Sequence, residues 1–147
     1  VIEKIVEAGT FAASGMNLQT PVIVAVTNKE IRDKMSKANA RVMGTENDPF
    51  YGAPVVLVVL AEKKGTYVYD GSLVMGNLML AAHELGIGSC WIHRAKEVFE
   101  QEEWKQWLKS LGLEGEYEGI GNCVLGYVDG EYPNVLPRKD ARVYFVE

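Results

Sequence analysis

The chain has 147 residues, near the usual size of one domain and enough to bury about 70% of the surface an unfolded chain exposes. Its 15 basic and 20 acidic residues give a net charge of −5, which speaks against a nucleic-acid or anionic-membrane surface, because attraction to phosphate needs a basic face. No apolar run is long enough to span a bilayer, no secretory signal is read, and Cys90 and Cys123 lack metal-ligand spacing, so buried thiols in a cytoplasmic protein are expected.

Val1 to Ala13 sets Ile2, Ile5, Val6 and Ala13 against Glu3, Lys4 and Glu7, predicting a helix already under way at the first residue. After a polar turn, the β-branched run Pro21 to Thr27 predicts a buried strand. Thr27-x-x-Glu30 has the form of a capping box and predicts a helix with Ile31, Met35, Ala38 and Val42 as its inner stripe. Gly44 to Pro54 reads as a turn-rich loop, and Pro54 to Ala61 as a second fully buried strand.

The segment Asp70 to Arg94 then predicts a central helix. Leu73, Val74, Met75, Leu78, Met79, Leu80, Ala81, Ala82 and Leu85 leave it almost no polar face, so burial on most sides is expected. Gly86 stands where a helix C-terminus wants positive φ, and Gly88 keeps the exit thin enough for backbone to approach a flat ligand. A strand over Ser89 to His93 follows, then a helix with Trp104, Trp107, Leu108 and Leu111 on one face, ending near Gly112. Strands over roughly Gly119 to Val128 and Arg142 to Val146 close the chain, separated by a loop with Pro133 and Pro137.

This alternation favours helices on both faces of a sheet without fixing its topology. Gly86-Ile-Gly88 and Gly119-Ile-Gly121 open like a dinucleotide-binding fingerprint, but both lack its third glycine, and the first follows a helix and precedes a strand, the reverse of the required order. No Walker loop, nucleophile elbow or His-Glu-x-x-His occurs, and the only histidines are His83 and His93. Hydrolase and metal chemistry are therefore set aside. Ser14, Asn17 and Gln19 gather donors and acceptors at the entrance of the first strand, a pattern that also serves turns for backbone reasons alone.

Ala13-Ser-Gly-Met-Asn-Leu-Gln-Thr-Pro21 resembles the Pro-Ser-x-x-Asn-x-Gln-Pro loop of the FMN-dependent nitroreductase family. Asp48-Pro-Phe-Tyr-Gly-Ala-Pro54 resembles that family's lead-in to its second strand, Gly76 to Trp91 its central helix and flavin-side turn, and Pro137-Arg138-Lys139 its basic C-terminal segment. The matches follow the family's order and span nearly the whole chain.

The resemblance implies a single α+β domain over residues 1–147, with a mixed, largely antiparallel sheet flanked by helices, and a homodimer with FMN at its interface. Ser14 and Asn17 would reach the flavin from the partner subunit, while Trp91, Ile92 and His93 would supply main-chain contacts near N5. Asn39 would touch the pyrimidine edge, Arg138 would pair with the phosphate through its two-pronged donors, and Lys139 would add a point charge. Two departures from the family pattern stand out. Ala13 replaces a proline, and the family's N-terminal Arg-Arg-Ser-x-Arg phosphate anchor has no counterpart in the sequence.

The implied activity is hydride transfer from NAD(P)H through flavin N5 to a small-molecule acceptor such as a nitroaromatic or quinone, in a ping-pong order and with no catalytic side chain required. His93 is a proton donor on one reading and a backbone-only contact on another; Trp104 and Trp107 read as core or interface packing. A non-catalytic protein that holds flavin or another planar ligand on the same dimeric scaffold is the alternative.

Overall fold

The computed structural model describes residues 1–147. In chain order it contains α1 (Ile2–Thr10), β1 (Pro21–Val26), α2 (Lys29–Met43), β2 (Val55–Glu62), α3 (Tyr67–Glu84), β3 (Gly88–Ile92), α4 (Ala95–Phe99), α5 (Glu102–Ser110) and β4 (Tyr117–Gly126), with one 3-10 turn at Gly15–Asn17 before β1. The four strands lie in the order β1-β2-β4-β3, and all three pairings are antiparallel. The expected mixed character is absent from this sheet.

Alternation along β2 explains why its sequence is apolar at every position. Val56, Val58 and Leu60 face one core, with Met35, Phe50, Phe99, Trp104 and Leu108. Leu57, Val59 and Ala61 face the other, with Ile5, Met75, Leu78 and Ile120. A strand covered by helices on both faces has no solvent side to mark with polar residues. The result is an α+β fold in three layers: α2, α4 and α5 on one face, α1 and α3 on the other. Trp104 packs edge-on against Phe99 at 5.9 Å and against Trp107 at 5.5 Å, as the helical spacing predicts.

Several expectations need correction. The cap of α2 is Asn28, whose side chain accepts from the N–H of Ile31 at 3.0 Å, so Thr27 is not the capping residue. The inner face of that helix holds Arg32, Ser36 and Asn39 beside Met35 and Ala38, whereas Val42 is exposed. No strand forms over Arg142 to Val146; residues 127–147 are exposed and unpaired, because β-branched and aromatic residues make a strand only where a sheet edge receives them. Cys90 is exposed, and only Cys123 is buried, its thiol pushed up to about 12 by burial and by the charge of Cys90. α3 is also less enclosed than its composition suggests. It buries Val74, Met75, Leu78 and Ala82 but leaves Leu73 51% and Leu80 72% exposed.

Candidate functional site

The loop before β1 is a strained one. Met16, Asn17 and Gln19 adopt φ of 51°, 54° and 52°, a left-handed region that costs a residue with a side chain roughly 1 kcal/mol or more. Local bonds hold it: Ser14 Oγ accepts from Gln19 N at 3.0 Å, and Asn17 Oδ1 accepts from Gln19 Nε2 at 3.0 Å. Ser14 and Gln19 line a small depression with Thr10, Pro21 and Val74.

A second cleft, of about 340 Å³, lies at the end of β3 and brings Trp91, Ile92 and His93 together with Cys90, Arg94, Asp48 and Tyr51. Since β3 is an edge strand, alternate main-chain groups along it have no strand partner. Two buried amides fix the strand's last peptides. Asn122 Nδ2 donates to the carbonyl of Ile92 at 3.4 Å, and Asn39 Nδ2 donates to the carbonyl of His93 at 2.8 Å. Every peptide here is trans, so the N–H groups of His93 and Arg94 point away from those amides. Arg94 itself sits at φ 75°, with Nε donating to Asn39 Oδ1 at 2.8 Å.

Asn39 is completely buried, and both ends of its amide are engaged by His93 and Arg94. The cleft residues it touches are His93 and Arg94, while the family resemblance implies a contact of its side chain with the pyrimidine edge. Asn122, equally buried, touches Ile92 in the same way.

The opposite wall is braced by Asp48. Arg32 pairs with it across 16 residues while Nε of the same arginine donates to the Ala53 carbonyl at 2.8 Å. Partial burial raises the Asp48 carboxyl, but hydrogen bonds from Arg32, Ser36 and the N–H groups of Phe50 and Gly52 outweigh it and bring the pKa from 3.8 down to about 2. A group depressed on folding stabilises the protein above its unfolded pKa and loses that contribution as pH falls through the folded one. Asp48 is thus worth about 1–2 kcal/mol above roughly pH 4, after screening at its partly open position, and little of that remains by about pH 2. Urea unfolding should show the stability gap between wild type and Asp48→Asn closing as pH drops from 5 to 2; a gap that stays constant refutes the assignment.

The predicted residues do not form one cluster in a single chain. Ser14 and Asn17 lead into β1 and Trp91 to His93 end β3, on opposite edges of the sheet, three strand spacings or roughly 14 Å apart. Arg138 and Lys139 lie on the exposed tail, where the Arg138 guanidinium donates to its own Leu136 carbonyl at 2.7 Å. Sequence reasoning missed Asn122, Arg32 and the supporting role of Asp48. For Asn122 and Arg32 the signal is a polar residue inside an otherwise apolar strand or helix stripe, which in a core must be bonded; Asp48 lies in a loop and carries no such mark.

A model of the nitroreductase family matches residues 1–49 and 41–127. The chain belongs to the nitroreductase family. A relative from Archaeoglobus fulgidus, named "Putative NADH dehydrogenase/NAD(P)H nitroreductase", is 34% identical over 137 residues, covering 88% of this chain and 74% of its own. A protein of the same name from Methanothermobacter thermautotrophicus is 28% identical over 101 residues, 62% of this chain, which spans about half (48%) of that relative's length. Among solved structures, a nitroreductase with bound FMN from Bacteroides fragilis superposes with a TM-score of 0.85 at 30% identity, over 99% of this chain and 86% of the other. The α+β architecture described above is thus this family's fold.

Proposed function

We propose that this nitroreductase-family chain is an FMN-dependent oxidoreductase acting as a homodimer, a single domain over residues 1–147 that transfers hydride from NAD(P)H to small oxidants. The observation that carries the reading is the open end of β3. There, outward main-chain N–H groups are held in fixed directions by buried amides beside a cleft, the donor set that suits the heteroatom-rich edge of a flat ring. The residues present fit the ring of the flavin.

Trp91, Ile92 and His93 would hold that edge through their backbone, with Asn39 and Asn122 fixing the peptides from behind. Ser14 and Asn17 would complete the site from the partner subunit, a reading supported by their position on the far sheet edge of their own chain. The dimer is further supported by exposed Tyr69, Leu73 and Leu80 on α3 and by Phe11 and Met16 nearby in sequence to the Ser14 loop. Arg138 would pair with the phosphate and Lys139 add charge, both from a tail free to reach beyond its own sheet. His93 acts through its backbone. When bound, FMN would supply hydride chemistry at N5, between NAD(P)H and an acceptor such as a nitroaromatic or quinone. Two unpaired thiols suit a reducing, cytoplasmic setting.

Because one open face would serve both substrates, the nicotinamide must leave before the acceptor binds. With protein saturated in FMN, NADH or NADPH should bleach the flavin absorbance, and initial rates at several acceptor levels should give parallel double-reciprocal lines. Intersecting lines overturn the shared face. Bound flavin that neither nicotinamide bleaches overturns turnover itself and leaves a flavin-binding protein.

A further inference from the structure

Asp70 is 3% exposed in the first turn of α3, where the helix N-terminus favours a negative charge. Its Oδ1 accepts from the N–H of Gly15 at 3.0 Å and from Thr66 Oγ1 at 2.9 Å, and its buried Oδ2 has no partner. A carboxylate kept buried with one oxygen unsatisfied is costly for stability alone, since an apolar side chain would fill the same space without that penalty. What it gains is a tie across 55 residues to the 3-10 turn Gly15–Asn17.

That tie is shaped for its place. A Cβ on Gly15 would lie 2.2 Å from Thr66 Oγ1, so a side chain there would displace either the loop or the hydroxyl that bonds Asp70. The bonds of Ser14 and Asn17 run within the loop, to Gln19. Those internal bonds set the shape of the three left-handed residues but tie the loop to nothing else, whereas the bond to Asp70 anchors it to α3 at Gly15, next to Ser14.

We propose that Asp70, assisted by Thr66, is a positioning residue that latches the loop bearing Ser14 and Asn17, holding both side chains in the conformation that binds flavin. The inference rests on the flavin role given to Ser14 and Asn17 above.

Two measurements on the full chain test it: amide hydrogen exchange at Gly15 without flavin, and FMN affinity by flavin fluorescence. Asp70→Ala should speed Gly15 exchange and weaken FMN binding about tenfold, whereas Asp70→Asn, which keeps an oxygen for the Gly15 N–H, should stay within about threefold of wild type. In a Ser14→Ala/Asn17→Ala background, Asp70→Ala should cause no further loss of affinity, because it would act only through those side chains. Should Asp70→Ala fail to fold, Thr66→Val gives the same reading at about threefold. Unchanged Gly15 exchange overturns the latch, as does an equal loss of affinity in both backgrounds, which would mark Asp70 as a general structural residue. If Ser14→Ala/Asn17→Ala binds FMN as wild type does, the flavin role of the loop fails and the latch has no site to serve; Gly15 exchange then still shows whether the bond itself forms.

Discussion

Gly119→Ala should destabilise the protein by about 3 kcal/mol, at the upper end of overpacking costs, because the atoms in its way are backbone. The added Cβ would stand 2.3 Å from the carbonyl oxygen of Ala95 and 2.4 Å from its carbon. Neither can turn aside as a side chain would. Ala95 opens α4 directly after Arg94, so any relief must move either β4 or the strand end that carries His93. β4 has little room to move, since it lies between β2 and β3 and is bonded to both, although beside Gly119 its register against β2 shifts and leaves Ile120 without a partner. Chemical denaturation reads the loss, and FMN affinity should fall with it at temperatures where the variant is folded. A variant within about 0.5 kcal/mol of wild type would show that α4 is free to slide over the sheet, contrary to the packing described.

The second large effect is expected at Asn39. Asn39→Ala removes a donor from the His93 carbonyl and an acceptor from the Arg94 guanidinium in a fully buried place, for a cost of about 2–4 kcal/mol. Flavin affinity should drop as well, because the His93–Arg94 peptide loses the bond that aims the Arg94 N–H. Asn39→Asp separates the two roles. It keeps an acceptor for Arg94 but places an oxygen against the His93 carbonyl, so it should bind flavin almost as weakly as alanine does. If Asn39→Asp binds flavin as wild type does, the amide does not orient the strand end. Denaturation and flavin titration on the same preparations check both statements.

Much of this architecture is legible in the residues because period and apolarity report burial directly. The unbroken apolar run of β2 could only be a strand covered on both faces, and Gly86, at φ 72°, ends its helix as a glycine in that place should. Other features depend on partners that a local pattern does not contain. Val143 to Val146 has strand composition, yet whether it pairs depends on an edge elsewhere. Leu73 and Leu80 are apolar on a helix whose single-chain surroundings leave them open. The supporting polar residues are harder still. Asp70 and Asn122 look like ordinary helix and strand residues, Asn39 is singled out only by the family resemblance, and only the fold brings the three to a main-chain group 55, 30 and 54 residues away. Their chemistry is short-ranged, whereas the sequence separation that delivers it is long.

The strand order carries a consequence for how the molecule comes into being. β4 is the last strand along the chain yet lies between β2 and β3, so β3 has no neighbour in the sheet until β4 has been synthesised and inserted. A nascent chain that has emerged as far as Gly112 can pair β1 with β2, but it exposes one apolar edge of β2 and cannot yet form the strand end that carries Trp91 and Ile92. Such distant pairings form slowly, and an unpaired apolar edge invites wrong partners while it waits. The proposed flavin site is therefore among the last parts of the molecule to take shape, and a ribosome stalled before Tyr117 would leave a chain that has its hydrophobic material but not the strand end on which that proposal rests.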